Sequence, residues 1–355
     1  MSRVGGIKLR FRAARQISEF IRVDEWASST IPAVLSGILL CWLQDGSNQN
    51  VVGRLFSLAC CCGFLAAFLA FGYVVNDCSD YEVDLAAGKD KLIQRLGKRF
   101  GVATALALFL GGVIFSFVLS ADTVQGVVAC LLTYAFGLSY SCGPRFKERG
   151  VFGVVVSAAA QRSVPLISLG VMLGLTRSGE LWAWAVMMFF NGVRYILVHQ
   201  LLDSGLDKSV GVNTYALHNG IDLLKLEILA SFLIETAMVI RYFLMPVFGM
   251  FSGPIAILPL ALVALYVLLF FLVWRIVATR FGKSIFFAFD FMAYEALYNC
   301  FVPGVLLMVF VVLESPAFLV AAIVLLMLEW ERVYSRVSIL KYYLFDGDDR
   351  RSDKA

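Results

Sequence analysis

The stretch VVGRLFSLACCCGFLAAFLAFGYVV, residues 51–75, runs directly into Asn76-Asp77-Cys78-Ser79-Asp80-Tyr81-Glu82-Val83-Asp84. The first part carries one charge, Arg54, and exceeds the ~20 apolar residues with which a helix crosses a bilayer. The second part is dense in carboxylates, and one carboxylate at the bilayer centre costs about 2.5–3.5 kcal/mol on insertion scales. The acids therefore mark where the helix leaves the membrane. This junction sets the fold class: all-α, a polytopic bundle of membrane-spanning helices.

Working outward, apolar runs fall at 29–44, 51–75, 101–120, 123–140, 151–175, 181–202, 224–250, 254–277, 297–313 and 316–330. Glu314-Ser315-Pro316 divides the last two, which gives nine to ten transmembrane helices. The 355 residues are 60% apolar or aromatic and 16% charged, with a mean hydropathy of +0.82. Soluble domains carry about 25% charge and 45–50% apolar residues. Disordered chains, disulfide scaffolds and ordinary soluble enzymes are excluded. Of the eight cysteines, Cys41, Cys60, Cys61, Cys62, Cys130 and Cys300 lie in apolar runs without zinc-type pairing and read as small core residues.

Lys and Arg of short loops favour the cytoplasmic side. With ten spans and the N-terminus inside, every Lys and Arg obeys this except Arg54, Arg162, Arg177, Arg194 and Arg241. Nine spans would put Arg332, Arg336, Lys341, Arg350, Arg351 and Lys354 outside, so ten is preferred. The organisation expected is a basic N-terminal segment at 1–28, a membrane domain at 29–330 and a cytoplasmic tail at 331–355. Lys8, Arg10, Arg12, Arg15 and Arg22 alternate with Ile7, Leu9, Phe11, Ile17, Phe20 and Ile21, which fits an amphipathic helix on the inner leaflet; a frayed tail is the alternative. Residues 284–296 read as a second interfacial segment. No secretory signal pattern is present.

Two acidic groups stand at the cytoplasmic ends of spans. In a continuous helix Asp77, Asp80 and Asp84 share one face, and Asp203 and Asp207 share another. Like charges at such spacing repel, so a cation should offset them. Oxygen-only donors favour Mg²⁺ or Ca²⁺, and with only His199 and His218 in the chain a zinc site is disfavoured. Basic residues lie alongside: Lys89, Lys91, Arg95, Lys98 and Arg99 in one loop, and Tyr140-Ser141-Cys142-Gly143-Pro144-Arg145-Phe146-Lys147 in another. Each group alone is equally a solvated helix end or a topogenic loop. Combined above an apolar interior, they suit a lipid-tailed diphosphate with its head at the cytoplasmic mouth.

These residues resemble the UbiA superfamily of intramembrane prenyltransferases. Asn76, Asp77, Asp80 and Asp84 match its NDxxDxxxD pattern, and Asp203, Asp207, Gly211 and Thr214 its DxxxDxxxGxxT pattern. Tyr140 and Ser141 with Pro144, Arg145 and Lys147 are similar to its tyrosine-proline-basic loop, so the likeness spans roughly residues 20–300. The resemblance implies about nine helices around a central cavity and one kind of chemistry: two Mg²⁺ ions bridge the motifs to an isoprenoid diphosphate, an allylic carbocation forms, and an aromatic or lipid-like acceptor attacks it. It implies metal-holding roles for Asp77, Asp80, Asp84, Asp203 and Asp207, and diphosphate-binding roles for Asn76, Lys91, Tyr140, Arg145 and Lys147. Departures are the stretch Gly88-Lys89-Asp90-Lys91, which lacks the proline common in quinone-pathway members, Gly143 where a proline pair is usual, and the tenth span. They weaken assignment to a ubiquinone, menaquinone or haem pathway.

Polar residues inside the spans usually face a bundle interior. Arg162, Asn191, Arg194 and His199 are candidates for the acceptor site; the plainer alternatives are an Arg pair with Glu227 or Glu235, and a packing role for His199. Other functions compatible with these residues are a terpene cyclase that uses no acceptor, phosphoribosyl transfer to a polyprenyl phosphate, and an ion-coupled transporter. The expected partners are a prenyl diphosphate, a hydrophobic acceptor and membrane lipids, without nucleic acid, and the expected location is a bacterial plasma membrane.

Overall fold

A computed structural model of the chain describes residues 16–45, 49–86, 88–210, 215–250 and 297–341, with isolated helical positions between 261 and 275. Side chains at 45, 202–210, 216, 217, 248 and 331–341 fall outside that description. The helices are α1 (Val23–Asp45), α2 (Val51–Ser79), α3 (Tyr81–Ala86), α4 (Leu92–Leu96), α5 (Lys98–Leu119) and α6 (Thr123–Ser141). After them come α7 (Val151–Met172), α8 (Gly179–Val210), α9 (Tyr215–Asn219), α10 (Ile221–Val239), α11 (Val302–Leu313) and α12 (Leu319–Lys341). Among the described residues there is no strand, and six helices are long and apolar enough to cross a membrane.

Local chemistry explains the boundaries. Asn50 caps α2 by accepting from the Gly53 N–H at 2.8 Å, and Asp122 caps α6 by accepting from the Gln125 N–H at 3.1 Å. The polar run that begins at Asn76 ends α2. One side of α5 exposes Val102, Leu106, Leu110, Ile114 and Phe117. An apolar stripe of this kind on an outer helix is stable where lipid, not water, covers it. The protein is an integral membrane protein.

Residues 16–20 are helical and a turn at 21–22 leads into α1 at Val23; Phe20, Trp26 and Ala27 are buried, so the end of the basic 1–28 segment packs into the bundle with the first span. Residues 1–15 of that segment lie outside the described residues, as do 284–296 and nearly all of the expected span at 254–277. At the other end, a 3-10 turn at Pro316–Phe318 separates α11 from α12, at the Glu314-Ser315-Pro316 break.

Helix α2 packs chiefly on α5, where Tyr134 of α6 enters a gap left by Gly112: a Cβ at Gly112 would stand 2.1 Å from the Tyr134 hydroxyl oxygen. That hydroxyl donates to the Leu108 carbonyl at 3.2 Å, and the ring meets Phe64, Phe68, Phe71 and Phe109 edge-on. Helix α8 is tied to α1 by Trp184, whose Nε1 donates to the Ala33 carbonyl at 3.1 Å. Within α7, a π turn at Ala159–Ser163 shifts the helix face by one residue.

Arg54, an exception to the loop-charge pattern, is buried and forms an ion pair with the more exposed Glu314, and so joins α2 to the α11–α12 link. Removing one member leaves the other charge poorly solvated, which costs about 1–3 kcal/mol for a group still partly in contact with water. Arg54→Met should therefore lower the melting temperature in detergent, and Arg54→Met combined with Glu314→Gln should recover part of the loss. Equal melting temperatures for wild type and the single variant would show that the pair contributes nothing.

Candidate active site

The last turns of α2 carry Tyr73, Asn76 and Asp77 on one side of the helix. The helix does not run unbroken through the acidic motif. Asp80 takes φ −95° and ψ 3° and ends α2, and α3 restarts at Tyr81. This kink divides the three aspartates into two groups in place of the single face that a continuous helix would give.

Asp77 and Asp84 form one group. The Lys91 ammonium lies 2.7 Å from Asp77 Oδ1 and 2.6 Å from Asp84 Oδ2, and Lys89 lies 2.8 Å from Asp84 Oδ1. Both aspartates are buried. The chain returns its lysines to this point through Gly88, whose φ of +71° is accessible to glycine without strain, and through the Lys89 N–H, which donates to the Asp84 carbonyl at 3.0 Å. Burial pushes the Asp84 carboxyl pKa up, but hydrogen bonds from Lys89 and Lys91 outweigh it and hold the pKa below the usual value. Desolvation pulls the Lys91 pKa down, and its two carboxylate partners more than reverse this. Asp84 is thus kept ionised beside the Lys91 ammonium that it shares with Asp77.

Asp80 belongs to the second group. Its oxygens receive Lys147 Nζ at 2.6 and 2.7 Å, and the same ammonium donates to Asn76 Oδ1 at 2.9 Å and Ser79 Oγ at 3.2 Å. Ser141 Oγ donates to Asn76 Oδ1 at 3.0 Å, and Arg145 Nη2 lies 3.3 Å from Asp80 Oδ1. The loop reaches this position through left-handed residues at Gly143 (φ 64°) and Arg145 (φ 48°) and a 3-10 turn at Phe146–Glu148. Arg145 is also paired with Glu148.

Arg22 is a site residue that the sequence did not single out. Its guanidinium stands 4.9 Å over the Tyr73 ring, its Nη1 is 3.6 Å from Asp77 Oδ1, and Glu25 holds its Nη2 at 2.6 Å. Charge alone could not separate it from the other basic residues of the N-terminal segment.

Directly below this polar layer is a cavity of about 200 Å³. Helix α2 lines it with Phe68, Leu69, Gly72, Tyr73 and Asn76, α6 with Gly137 and Tyr140, and α7 with Ser157, Ala160 and Gln161. Asn76 thus belongs to both the polar layer and the cavity wall, and Tyr140 lies on the cavity wall.

The acceptor candidates separate. Arg194 is fully buried and donates to Glu235 through Nε at 2.7 Å and Nη2 at 3.1 Å, and Asn191 Nδ2 donates to the same carboxylate at 3.1 Å. For these two the structure forms the packing pair, with Glu235 and not Glu227, which instead accepts from the Tyr215 hydroxyl at 2.7 Å. Arg162 is buried in the π turn, next to the cavity-lining Gln161. His199 is exposed and packs edge-on against Tyr195. Asp203 and Asp207 lie on the described backbone of α8, but their side chains fall outside the described residues, as do Gly211 and Thr214 entirely. Among the described residues no three His, Cys, Asp or Glu side chains form a metal cluster.

Helices that span a membrane, with paired carboxylates and ammonium groups closing one end of an apolar cavity, define an intramembrane enzyme for an amphiphilic anion. The chain belongs to the UbiA prenyltransferase family, whose model matches residues 30–294, and it is an intramembrane prenyltransferase. Its fold is similar to the apo structure of a UbiA homologue from Aeropyrum pernix K1, at a TM-score of 0.52 and 14% identity over 85% of this chain and 98% of that one. It is also similar to a UbiA homologue from Archaeoglobus fulgidus, at a TM-score of 0.50 and 16% identity over 82% and 99% of the two chains. A structure of a UbiA homologue from Archaeoglobus fulgidus bound to DMAPP and Mg²⁺ matches at a TM-score of 0.48 and 16% identity, covering 81% and 98%. No curated protein matches the sequence.

Proposed function

We propose that this enzyme transfers a prenyl group from an isoprenoid diphosphate to an aromatic or lipid-like acceptor within the membrane, with Mg²⁺ as its metal. The observation that carries this reading is the seat of Lys91 between Asp77 and Asp84, at the polar end of the apolar cavity. An ammonium held by two carboxylate oxygens supports the reading that the pair would take a compact cation, and oxygen donors suit Mg²⁺. Asp77 and Asp84 would hold one ion, Asp203 and Asp207 a second, with Asp80 completing the acidic set. Bound there, Mg²⁺ would offset the negative charge of the diphosphate.

The remaining work falls to the chain itself. Lys91, Lys147 and Arg145 supply cations for the diphosphate oxygens, and their present carboxylate partners hold them ready at the mouth. Asn76, fixed by Ser141 and Lys147, positions the head group. When the allylic carbon–oxygen bond breaks, the bonding electrons leave with the diphosphate, beside these cations. The allylic cation remains near Tyr73 and Tyr140, whose ring faces favour positive charge and whose packing excludes water. Arg162 remains the candidate for an acceptor carboxylate or phenol. The site face is read as cytoplasmic from the Lys and Arg of its loops.

The test is product analysis with the purified full-length protein in detergent, prenyl diphosphates and a lipid extract, with and without Mg²⁺. Prenylated acceptor and released diphosphate, both lost on chelation by EDTA, are the expected result. A cyclic hydrocarbon formed without any acceptor would instead establish a cyclase, and release indifferent to EDTA would remove the metal from the reading.

A further inference from the structure

Of the α2 residues that line the cavity, Phe68 stands farthest from the mouth. Asn76 lies at the polar mouth and Phe68 lines the cavity eight positions earlier on α2, about 12 Å away at 1.5 Å per helical residue. One isoprene unit adds four main-chain carbons, roughly 5 Å in a zig-zag of ~1.5 Å bonds. The space from mouth to ring therefore takes two units.

Phe68 is not free to swing away. It is buried, its ring meets the edge of Tyr134 at 5.3 Å, and it lies so close to Gly137 that a Cβ there would stand 3.0 Å from its Cε2. Tyr134 is itself held by Phe64, Phe71, Phe109 and the Leu108 carbonyl. Close-packed rings of this kind yield only at a cost in strain. Halfway up the same wall is Gly72, and a Cβ built there meets no atom within 4 Å. Its missing side chain therefore leaves room in the cavity at the depth of the first unit.

We propose that Phe68 and Gly72 set the prenyl-chain length, so that the enzyme takes a ten-carbon prenyl diphosphate and Phe68 rejects a third isoprene unit. This inference rests on the reading that the cavity holds the prenyl tail. It adds which tail, and which two residues select it.

The experiment measures thermal stabilisation of the full-length protein in detergent, with Mg²⁺, by dimethylallyl, geranyl, farnesyl and geranylgeranyl diphosphate. Longer tails partition into micelles more strongly, so the readout is the ratio between chain lengths in each variant relative to wild type. Phe68→Ala should raise the farnesyl-to-geranyl affinity ratio about tenfold by removing the overpacking against the third unit. Gly72→Val should shift preference toward the dimethylallyl compound by a similar factor. Phe68→Leu is included because it keeps most of the packing; it should move the farnesyl ratio in the same direction by less. These ratios do not depend on the fraction of protein that folds. Stabilisation by all lengths with ratios unchanged in the three variants would overturn the length selection alone. Absence of stabilisation by every diphosphate would overturn the tail-binding reading, and this inference with it.

Discussion

Asp77→Ala should lower diphosphate release by at least about 10²-fold, the scale on which a transition-state charge contact acts. Asp77 is buried, and its Oδ1 is shared by Lys91 and, more distantly, Arg22. Loss of this carboxylate has two consequences. A divalent cation loses a hard oxygen ligand, so the Mg²⁺ concentration for half-maximal activity should rise. Lys91 keeps only Asp84, so the cation that should meet the diphosphate is no longer centred at the mouth. Asp77→Asn keeps the volume but not the charge and should fail nearly as badly, which separates electrostatics from packing. The measurement is diphosphate release against Mg²⁺ concentration for wild type and both variants. Superimposable curves would remove Asp77 from the metal site.

Glu235→Ala should destabilise the fold by about 3–5 kcal/mol, the cost of leaving a buried charge unmatched. Arg194 and Glu235 are both almost wholly buried, and Glu235 accepts three hydrogen bonds, two from Arg194 and one from Asn191. Without the carboxylate, a guanidinium remains in the interior next to an amide with one fewer partner. The pair joins α8 to α10, so its loss should also loosen the helix that carries Asp203 and Asp207. Replacing both members by Met removes the charges together and should restore much of the loss. Thermal unfolding in detergent distinguishes the cases, and a single variant as stable as wild type would show that the pair does not support the bundle.

Elements differ in how much of them a linear reading reveals. Helix α2 and its acidic end were legible because both follow from solvation: apolar residues need lipid or neighbours, and carboxylates need water, cations or hydrogen bonds. The expected offsetting cation is present as Lys91 on Asp77 and Asp84, and as Lys147 on Asp80. The division of the motif was not legible, because it depends on the kink at Asp80 and on a loop more than sixty residues away in the chain that reaches Asn76 and Asp80. Arg22 escaped notice for the same reason: its role comes from the proximity of Tyr73 and Asp77, on another helix.

The choice of partner for Arg194 shows the limit plainly. Glu227 and Glu235 are two turns apart on one side of α10, and either satisfies helical periodicity. Only the packing of α8 on α10 brings Glu235 to the guanidinium and leaves Glu227 to Tyr215. By itself the sequence determined the membrane bundle, the junction at Asn76 and the residue types at the polar end of that span, since these depend on the free energy of transferring each side chain between water and lipid. The tertiary structure alone decided which carboxylate meets which cation and which residues, Phe68 among them, line the cavity, since those depend on distances across helices that no spacing along one chain encodes.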